Sequence, residues 1–111
     1  MSRYASRYLV TTTVEKFPCQ FETILKECGI QVVHKSKEYL MAREIPGKVP
    51  FAKLVLVEAL LDHTKARENQ VDIDIIVKND ELPLNIDNHC FRLFNLISQA
   101  IANAPEWKLL N

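Results

Sequence analysis

The sequence predicts an α+β domain, built as a single antiparallel sheet of about five strands with two helices packed on one face. Three observations lead to this prediction. A strand-like and a helix-like segment come first, four strand-like segments follow with short turns between them, and a second helix-like segment comes last. Consecutive strands joined by short turns form an antiparallel meander, and both helices must bury their apolar stripes against it. The predicted order is β-α-β-β-β-β-α.

The first strand is predicted over Arg7–Glu15, where β-branched residues alternate between two faces. Residues 1–6, which contain the first copy of a repeated Ser-Arg-Tyr, are predicted to be a disordered N-terminus, so the domain covers residues 7–111. A helix is predicted over Pro18–Cys28, because a proline in the first turn lacks an N–H that would be unpaired anyway. Gly29 can adopt the left-handed conformation that ends this helix.

The four consecutive strands are predicted over Ile30–His34, Glu38–Ile45, Ala52–Asp62 and Gln70–Lys78. The last of them has one apolar and one mostly charged face, which is typical of an antiparallel sheet with one side in water. The third is apolar on both faces. One face carries Val55, Val57, Ala59 and Leu61, and the other carries Leu54, Leu56 and Leu60. Such a strand is either covered on both sides or part of an interface.

The second helix is predicted to begin after Asp87 or Asn88, either of which can cap it, and to end near Asn103. Its apolar stripe is broad, which indicates that much of it is buried. The stripe consists of Cys90, Phe91, Phe94, Ile97 and Ile101. The whole order resembles a reduced helix-grip fold of the Bet v 1/START-like type, in which a curved sheet wraps a C-terminal helix. That architecture usually encloses an apolar ligand, but 111 residues leave little spare volume.

The composition argues against several classes of function. Lys and Arg total 14, as do Asp and Glu, whereas a nucleic-acid binder of this size usually has a basic excess. The longest apolar run, Leu54–Leu61, is too short to span a bilayer, and the N-terminus lacks the apolar core of a signal peptide. Three widely spaced cysteines indicate a reducing compartment. We therefore expect a cytoplasmic protein that does not bind nucleic acid or insert into a membrane.

The run Asp87–Cys90 is the strongest candidate for catalysis, because the helix dipole would lower the pKa of a thiol in the first turn. His89 is adjacent to Cys90 but points about 100° away from it, and a nucleophile also needs an oriented base and an oxyanion site. Asp72 and Asp74 share the wet face of a strand, where carboxylates more often solvate a sheet than act as an acid/base pair. The histidine and cysteine spacings fit no metal site, and only two glycines leave no phosphate-binding loop. We predict no catalytic residue, metal or cofactor.

Apolar residues on a stiff loop, and on a sheet face that the two helices can leave open, point instead to binding. The loop Pro46–Phe51 contains two prolines and a glycine, and apolar side chains on a preorganised loop lose little entropy when they bind. Together with the second face of the third meander strand, they could form an exposed apolar patch, which usually marks an interface. The predicted partner-binding residues are Ile45, Val49, Phe51, Leu54, Leu56 and Leu60.

The first functional hypothesis is a non-catalytic interaction or assembly module that binds a protein segment or itself through these residues. Strand addition at an open sheet edge is one route for such binding. The alternative is a small carrier that holds an apolar ligand between the sheet and the last helix, near Phe91, Phe94 and Ile97.

Three segments, Tyr39–Gly47, Lys78–Leu84 and Asp87–Cys90, together resemble small conserved proteins of cyanobacteria to which no function is generally assigned. The resemblance covers about Tyr8 to Leu110. It implies a cytoplasmic protein of a photosynthetic bacterium, with partners in assemblies such as phycobilisomes, photosystems or carboxysome shells. No functional residue is carried over from it.

Overall fold

The computed structural model describes residues 1–62, 69–82, 88–105 and 107–110. These residues form one five-stranded antiparallel sheet and two helices, which confirms the predicted α+β class and element order. The strands are β1 (Ser2–Val10), β2 (Ile30–Lys35), β3 (Tyr39–Glu44), β4 (Leu56–Leu61) and β5 (Val71–Asn79). The helices are α1 (Phe17–Glu27) and α2 (His89–Asn103), and one turn of 3₁₀ helix, Phe51–Lys53, precedes β4.

The strands lie in the order β1-β5-β4-β3-β2, and each neighbouring pair is antiparallel. The last four strands therefore form the predicted meander, and β1 is added beyond β5. Because β1 and β2 occupy opposite edges, α1 connects one side of the sheet to the other. Helix α1 packs on β2, helix α2 packs on β1 and β5, and the two helices contact each other.

The core lies between this sheet and the two helices. Along β4 and β5 the alternation predicted from the sequence is confirmed, since every second side chain is buried. The buried set includes Val57 and Ala59 of β4, Ile73 and Ile75 of β5, Phe21 and Leu25 of α1, and Ile97 and Ile101 of α2. Full burial of one such aliphatic or aromatic side chain stabilises the fold by about 2 kcal/mol, so this layer supplies most of the stability.

The prediction of a disordered N-terminus and a strand over Arg7–Glu15 is wrong. Strand β1 spans Ser2–Val10 and pairs with β5 without interruption from Ser2↔Asn79 to Val10↔Val71. The Ser2 hydroxyl is buried and donates to the Glu81 carbonyl at 3.0 Å. The strand forms because a distant neighbour satisfies its backbone groups, which local residue preferences do not reveal.

Two further boundaries differ from the predictions or refine them. Strand β4 begins at Leu56 rather than Ala52, because the chain turns at Phe51–Lys53. Asn88 caps α2, its side chain accepting a hydrogen bond from the Phe91 N–H at 2.8 Å, whereas Asp87 lies outside the described residues. Gly29 follows α1 with φ +76°, as predicted. The predicted loop between β4 and β5 falls largely on residues 63–68, which are also outside the described residues.

A short C-terminal tail, residues 107–110, contacts both the sheet at β1 and the helix α1. Its backbone pairs with the end of β1, where the Leu110 N–H donates to the Leu9 carbonyl at 2.8 Å and the Thr11 N–H donates to the Lys108 carbonyl at 3.1 Å. The Trp107 ring stacks on Phe17 with centroids 5.3 Å apart, and its Nε1–H donates to Gln20 at 2.7 Å. The tail is thus held by β1 on one side and α1 on the other.

Candidate interaction face

The side of the sheet that faces away from α1 and α2 is called the open face here. All five strands contribute alternate side chains to it, and those of β1, β5, β4 and β3 form most of its area. They are Arg3, Ala5, Arg7 and Leu9 of β1, Asp72, Asp74, Ile76 and Lys78 of β5, Leu56, Glu58 and Leu60 of β4, and Tyr39, Met41 and Arg43 of β3. Neither described helix lies on this side, so the structure leaves a sheet face that combines apolar and charged residues.

Apolar residues occupy the middle of the open face. Leu60 is 42% exposed, and Leu56, Ile76 and Met41 are partly buried. Ile76 and Met41 lie on either side of Glu58 in one cross-strand row. The prediction that β4 is apolar on both sides is therefore confirmed, and its second apolar side belongs to the open face.

The charges among these apolar residues are paired with one another. The Glu58 carboxylate accepts a hydrogen bond from the Tyr39 hydroxyl at 2.5 Å and forms an ion pair with Lys78 Nζ at 2.7 Å. The hydrogen bond to Glu58, with burial and the nearby negative charge, raises the pKa of Tyr39 to about 12. Hydrogen bonds from Lys78 and from Tyr39 lower the pKa of Glu58. Glu58 is consequently held as a carboxylate and is a poor proton donor at neutral pH.

The two aspartates predicted to share the wet face of β5 do so. Arg7 on β1 forms an ion pair with Asp74, with Nε 2.8 Å from Oδ1, and lies 3.9 Å from Asp72. These carboxylates balance an arginine on the neighbouring strand. Within the described parts of the chain, no three His, Cys, Asp or Glu side chains are placed to hold a metal ion.

A groove of about 410 Å³ opens at the end of this face where β4 begins. It brings together Phe51, Leu54 and Leu56 of the predicted binding set and adds Arg43, Lys78 and Met1. Phe51 is 80% exposed, the largest exposure of a large apolar side chain in the described residues. The sequence analysis predicted the groove residues that are close together in the sequence, Phe51, Leu54 and Leu56. It missed Arg43 and Lys78, which the strand register brings to the groove.

The other predicted binding residues lie elsewhere. Leu60 lines a second hollow of about 340 Å³, shared with Ala5 and Ile76. Ile45 is 51% exposed and Val49 is partly buried, and neither lines the groove or this hollow.

The turn that presents Phe51 is fixed by its neighbours. Pro50 is extended, with ψ 150°, and the Leu54 N–H then closes the 3₁₀ turn on the Phe51 carbonyl at 3.2 Å. Asn79 Nδ2 at the end of β5 donates to the Lys53 carbonyl at 3.0 Å. Because backbone and side-chain bonds hold the turn, Phe51 projects outward from a preorganised support.

A buried polar cluster at the start of α2 was missed by the sequence prediction. His89 Nε2 lies 2.8 Å from Glu44 Oε1 and 3.0 Å from Oε2, and the Val55 N–H donates to the same carboxylate at 3.1 Å. The two side chains are only 15% and 7% exposed. A signal was present in the sequence, because Glu44 falls on the apolar side of β3 with Leu40 and Ala42, and a buried carboxylate needs a partner.

Cys90 does not have the activated thiol that its place in the first helical turn predicts. Its side chain is buried, with Sγ 3.5 Å from the Val77 carbonyl and 3.8 Å from the Ser2 carbonyl. Burial, and secondly the Glu81 carboxylate, raise the pKa of this thiol to about 11. The expected lowering by the helix dipole is therefore wrong, since the cost of burying a thiolate is larger.

The residues predicted to hold an apolar ligand are in contact with protein groups. The rings of Phe91 and Phe94 lie 5.3 and 5.6 Å from the ring of Tyr4, and Ile97 is buried in the core. The carrier hypothesis stays a prediction, because these contacts neither supply nor require a ligand.

Comparison with known proteins identifies no family for the chain. No protein-family model matches it, and no curated protein does. Neither of the described helices is both long enough and apolar enough to cross a membrane. What can be inferred about function therefore comes from the chain's own residues.

Proposed function

We propose that this protein is a non-catalytic interaction module that binds another protein, or a second copy of itself, through the open face and the turn Phe51–Lys53. One observation carries the proposal: the helices cover one side of the sheet, while Phe51 and Leu60 stay 80% and 42% exposed on the other. Exposed apolar residues that line a groove and a hollow on an uncovered sheet face favour a binding site.

The groove beside Phe51 supports the proposal energetically. Moving a phenylalanine side chain from water into an apolar environment stabilises a complex by about 2 kcal/mol, provided that it does not first have to be ordered. The bonds of Leu54 and Asn79 to the turn meet this condition for the backbone that carries Phe51. Leu54 and Leu56 supply an apolar floor next to Phe51, and Arg43 and Lys78 provide a charged rim. An apolar centre with a polar rim is the usual anatomy of a protein interface.

The non-catalytic part of the proposal is supported by the roles of the titratable groups. Glu58 is engaged by Lys78 and Tyr39, and His89 is engaged by Glu44. The thiol of Cys90 is buried and stays protonated at neutral pH. Each of these groups has a structural partner, and a nucleophile next to an oriented base is not among the described arrangements.

The resemblance to small cyanobacterial proteins suggests where a partner should be sought, and we infer that cytoplasmic assemblies of a photosynthetic bacterium are the first place to look. Substitution of Phe51 tests whether a partner found in such a search binds by this route. A partner that binds by this route must lose affinity when Phe51 is changed, whatever assembly it belongs to.

Light scattering and affinity capture with two matched variants test the proposal. Phe51→Asp places a charge in the groove, and Leu96→Asp places the same charge on α2, where Leu96 is 45% exposed on the opposite side of the molecule. We expect wild type and Leu96→Asp to self-associate or retain the same partner, and Phe51→Asp to lose at least about tenfold in affinity. A strictly monomeric wild type that retains no partner, or equal losses in both variants, would overturn it. Both side chains are exposed, so thermal unfolding should stay near that of wild type.

A further inference from the structure

The two edges of the sheet are built differently. Strand β1 forms one edge and pairs with β5 over nine consecutive positions with no bulge, and it contains no proline. Strand β2 forms the other edge with six residues, and its register shifts between Val32 and His34. Short, bulged edges resist pairing with further chains, whereas long, regular edges are templates for an added strand. The edge at β1 is therefore the one suited to strand addition.

The chain itself already uses the far end of this edge. The tail pairs with Leu9 and Thr11, and Val10 lies opposite Leu109 in antiparallel orientation. In an antiparallel sheet the backbone groups of alternate residues point to the same side. Since the Leu9 carbonyl and the Thr11 N–H point outward, the N–H and carbonyl of Arg3 and Ala5 do so as well. Among the residues that the structure describes, no strand lies beside Ser2–Ser6 on this side.

The side chains at this edge favour a particular charge and size in the residues that would lie opposite them. Arg3 is exposed, and no ion pair within 4 Å is found for its guanidinium among the described residues, although its charge helps to lower the pKa of Glu58, after the hydrogen bonds from Lys78 and Tyr39. Ala5 is small and exposed, and it leads into the hollow of about 340 Å³ that Leu60 and Ile76 also line. A strand placed beside β1 would have one side chain opposite Arg3 and another opposite Ala5, both on the open face.

We propose that the outer edge of β1 binds an extended acidic segment of a partner protein as an added strand, with a carboxylate opposite Arg3 and an apolar side chain over Ala5 in the hollow. This inference rests on the proposed function, because it names the chemical class of a partner of the open face. Backbone bonds to Arg3 and Ala5 supply affinity, and the two side-chain positions supply specificity.

Charge favours such a partner over a second copy of the chain. Two β1 strands pairing antiparallel about Ala5 would place Arg3 of one copy opposite Arg7 of the other. Like charges directly opposite each other destabilise a strand pair, whereas opposite charges stabilise it. An acidic strand removes this repulsion and gives Arg3 a partner.

Binding of a defined peptide tests the inference. The probe is a fluorescein-labelled Thr-Glu-Thr-Phe-Thr-Glu-Thr peptide, followed by fluorescence anisotropy, with a peptide carrying Lys in place of both Glu residues as its control. We expect the Glu peptide to bind at least about tenfold more tightly than the Lys peptide, and its affinity to fall as salt is raised. Absence of binding by the Glu peptide, or equal affinity of the two peptides, would overturn the inference.

Three protein variants separate strand addition from general attraction. Ala5→Pro removes the outward N–H without removing a bond to β5, so the fold should persist while affinity falls at least about tenfold. Arg3→Glu should weaken binding of the Glu peptide and strengthen binding of the Lys peptide. Lys26→Glu makes the same change of charge at an exposed position in the last turn of α1, away from this edge and from the open face, and should alter neither by more than about twofold. Equal effects of Arg3→Glu and Lys26→Glu, or an Ala5→Pro variant that folds and binds normally, would count against strand addition.

Failure of this inference can be told from failure of the proposed function. If association depends on Phe51 but the Glu peptide does not bind, strand addition at β1 is wrong and the proposed interaction module is still supported. If the Glu peptide binds to wild type but not to Ala5→Pro, the edge inference stands whether or not Phe51→Asp has an effect.

Discussion

Ile75 and Ile76 are neighbours on β5, but they lie on opposite sides of the sheet. Ile75 is 1% exposed under the helices, whereas Ile76 is only partly buried by its neighbours on the open face. Polar groups follow the same division, since Glu44 is buried on the helix side with His89, while Glu58 is paired with Lys78 at the open surface. The comparison teaches that one face is stabilised by coverage, while the other pairs Glu58 with Lys78 and Arg7 with Asp74 without being covered.

The largest expected effect separates the two isoleucines. Ile75→Ala should lower the free energy of unfolding by about 4 kcal/mol, because it leaves a cavity in a covered core. Ile76→Ala should cost about 1 kcal/mol or less, because its surroundings are open to water. Urea denaturation measures both values. Similar losses for the two variants would mean that the open face is covered in solution.

The next effect compares two carboxylate contacts, Glu44 with His89 and Glu58 with Lys78. His89→Leu leaves the Glu44 carboxylate buried with one partner fewer and should cost about 3 kcal/mol. Lys78→Met removes a partner that is 33% exposed and should cost about 1 kcal/mol or less. Chemical denaturation of each variant, and of His89→Leu combined with Glu44→Gln, gives the comparison. The double variant should recover part of the loss, since it no longer buries an unbalanced charge. A loss from Lys78→Met as large as that from His89→Leu would contradict the distinction.

A smaller effect concerns the stability of the fold at low pH. The pKa of Glu58 is lowered in the folded protein, first by Lys78 and then by Tyr39, so its contribution is present above the ordinary value of 4.5 and is lost as the pH falls through the folded pKa. Wild type should therefore lose more stability than Glu58→Gln on acidification below 4.5. The difference should be about 1 kcal/mol or less and should shrink at high salt. Urea denaturation across this pH range measures it, and parallel curves for the two proteins would be the contrary result.

The smallest effect lies on the helix side of β1. The Ser6 hydroxyl oxygen is buried and has no hydrogen-bond partner within the described residues, so Ser6→Ala should leave stability unchanged or raise it by about 1 kcal/mol. The control is Ser98→Ala, because Ser98 Oγ accepts a hydrogen bond from the Tyr8 hydroxyl at 3.0 Å and its removal should cost about 1 kcal/mol. Thermal unfolding compares them. A destabilised Ser6→Ala would indicate a partner for this hydroxyl in solution.

Residue patterns predicted the fold where their cause is local. Alternation identified the buried sides of β4 and β5, and helical spacing identified α1 and α2, since both patterns record which side of one element is buried. Strand β1 could not be found in this way, because Ser2 is ordered by residues 79 to 81, far along the chain. Pairing between distant segments is not recorded in either segment alone.

The candidate site likewise contains residues that local sequence patterns predict and residues that they do not. Phe51, Leu54 and Leu56 are close in sequence, so a stiff loop leading into an apolar strand was enough to group them. Arg43 and Lys78 join the groove only through the register of three strands, which no local pattern specifies. The pairing of Glu44 with His89 is intermediate, because the position of Glu44 called for a partner but could not say which one.

The docking of the C-terminal tail gives the protein an optical reporter of its own. Trp107 is the single tryptophan of the chain, and its indole is 5% exposed between the tail and α1. Its emission spectrum should shift to longer wavelength if the tail separates from β1 and α1 and the indole becomes hydrated. An added strand that displaces the tail would therefore change the colour of the fluorescence, whereas one that binds beside Ala5 alone would leave it unaltered.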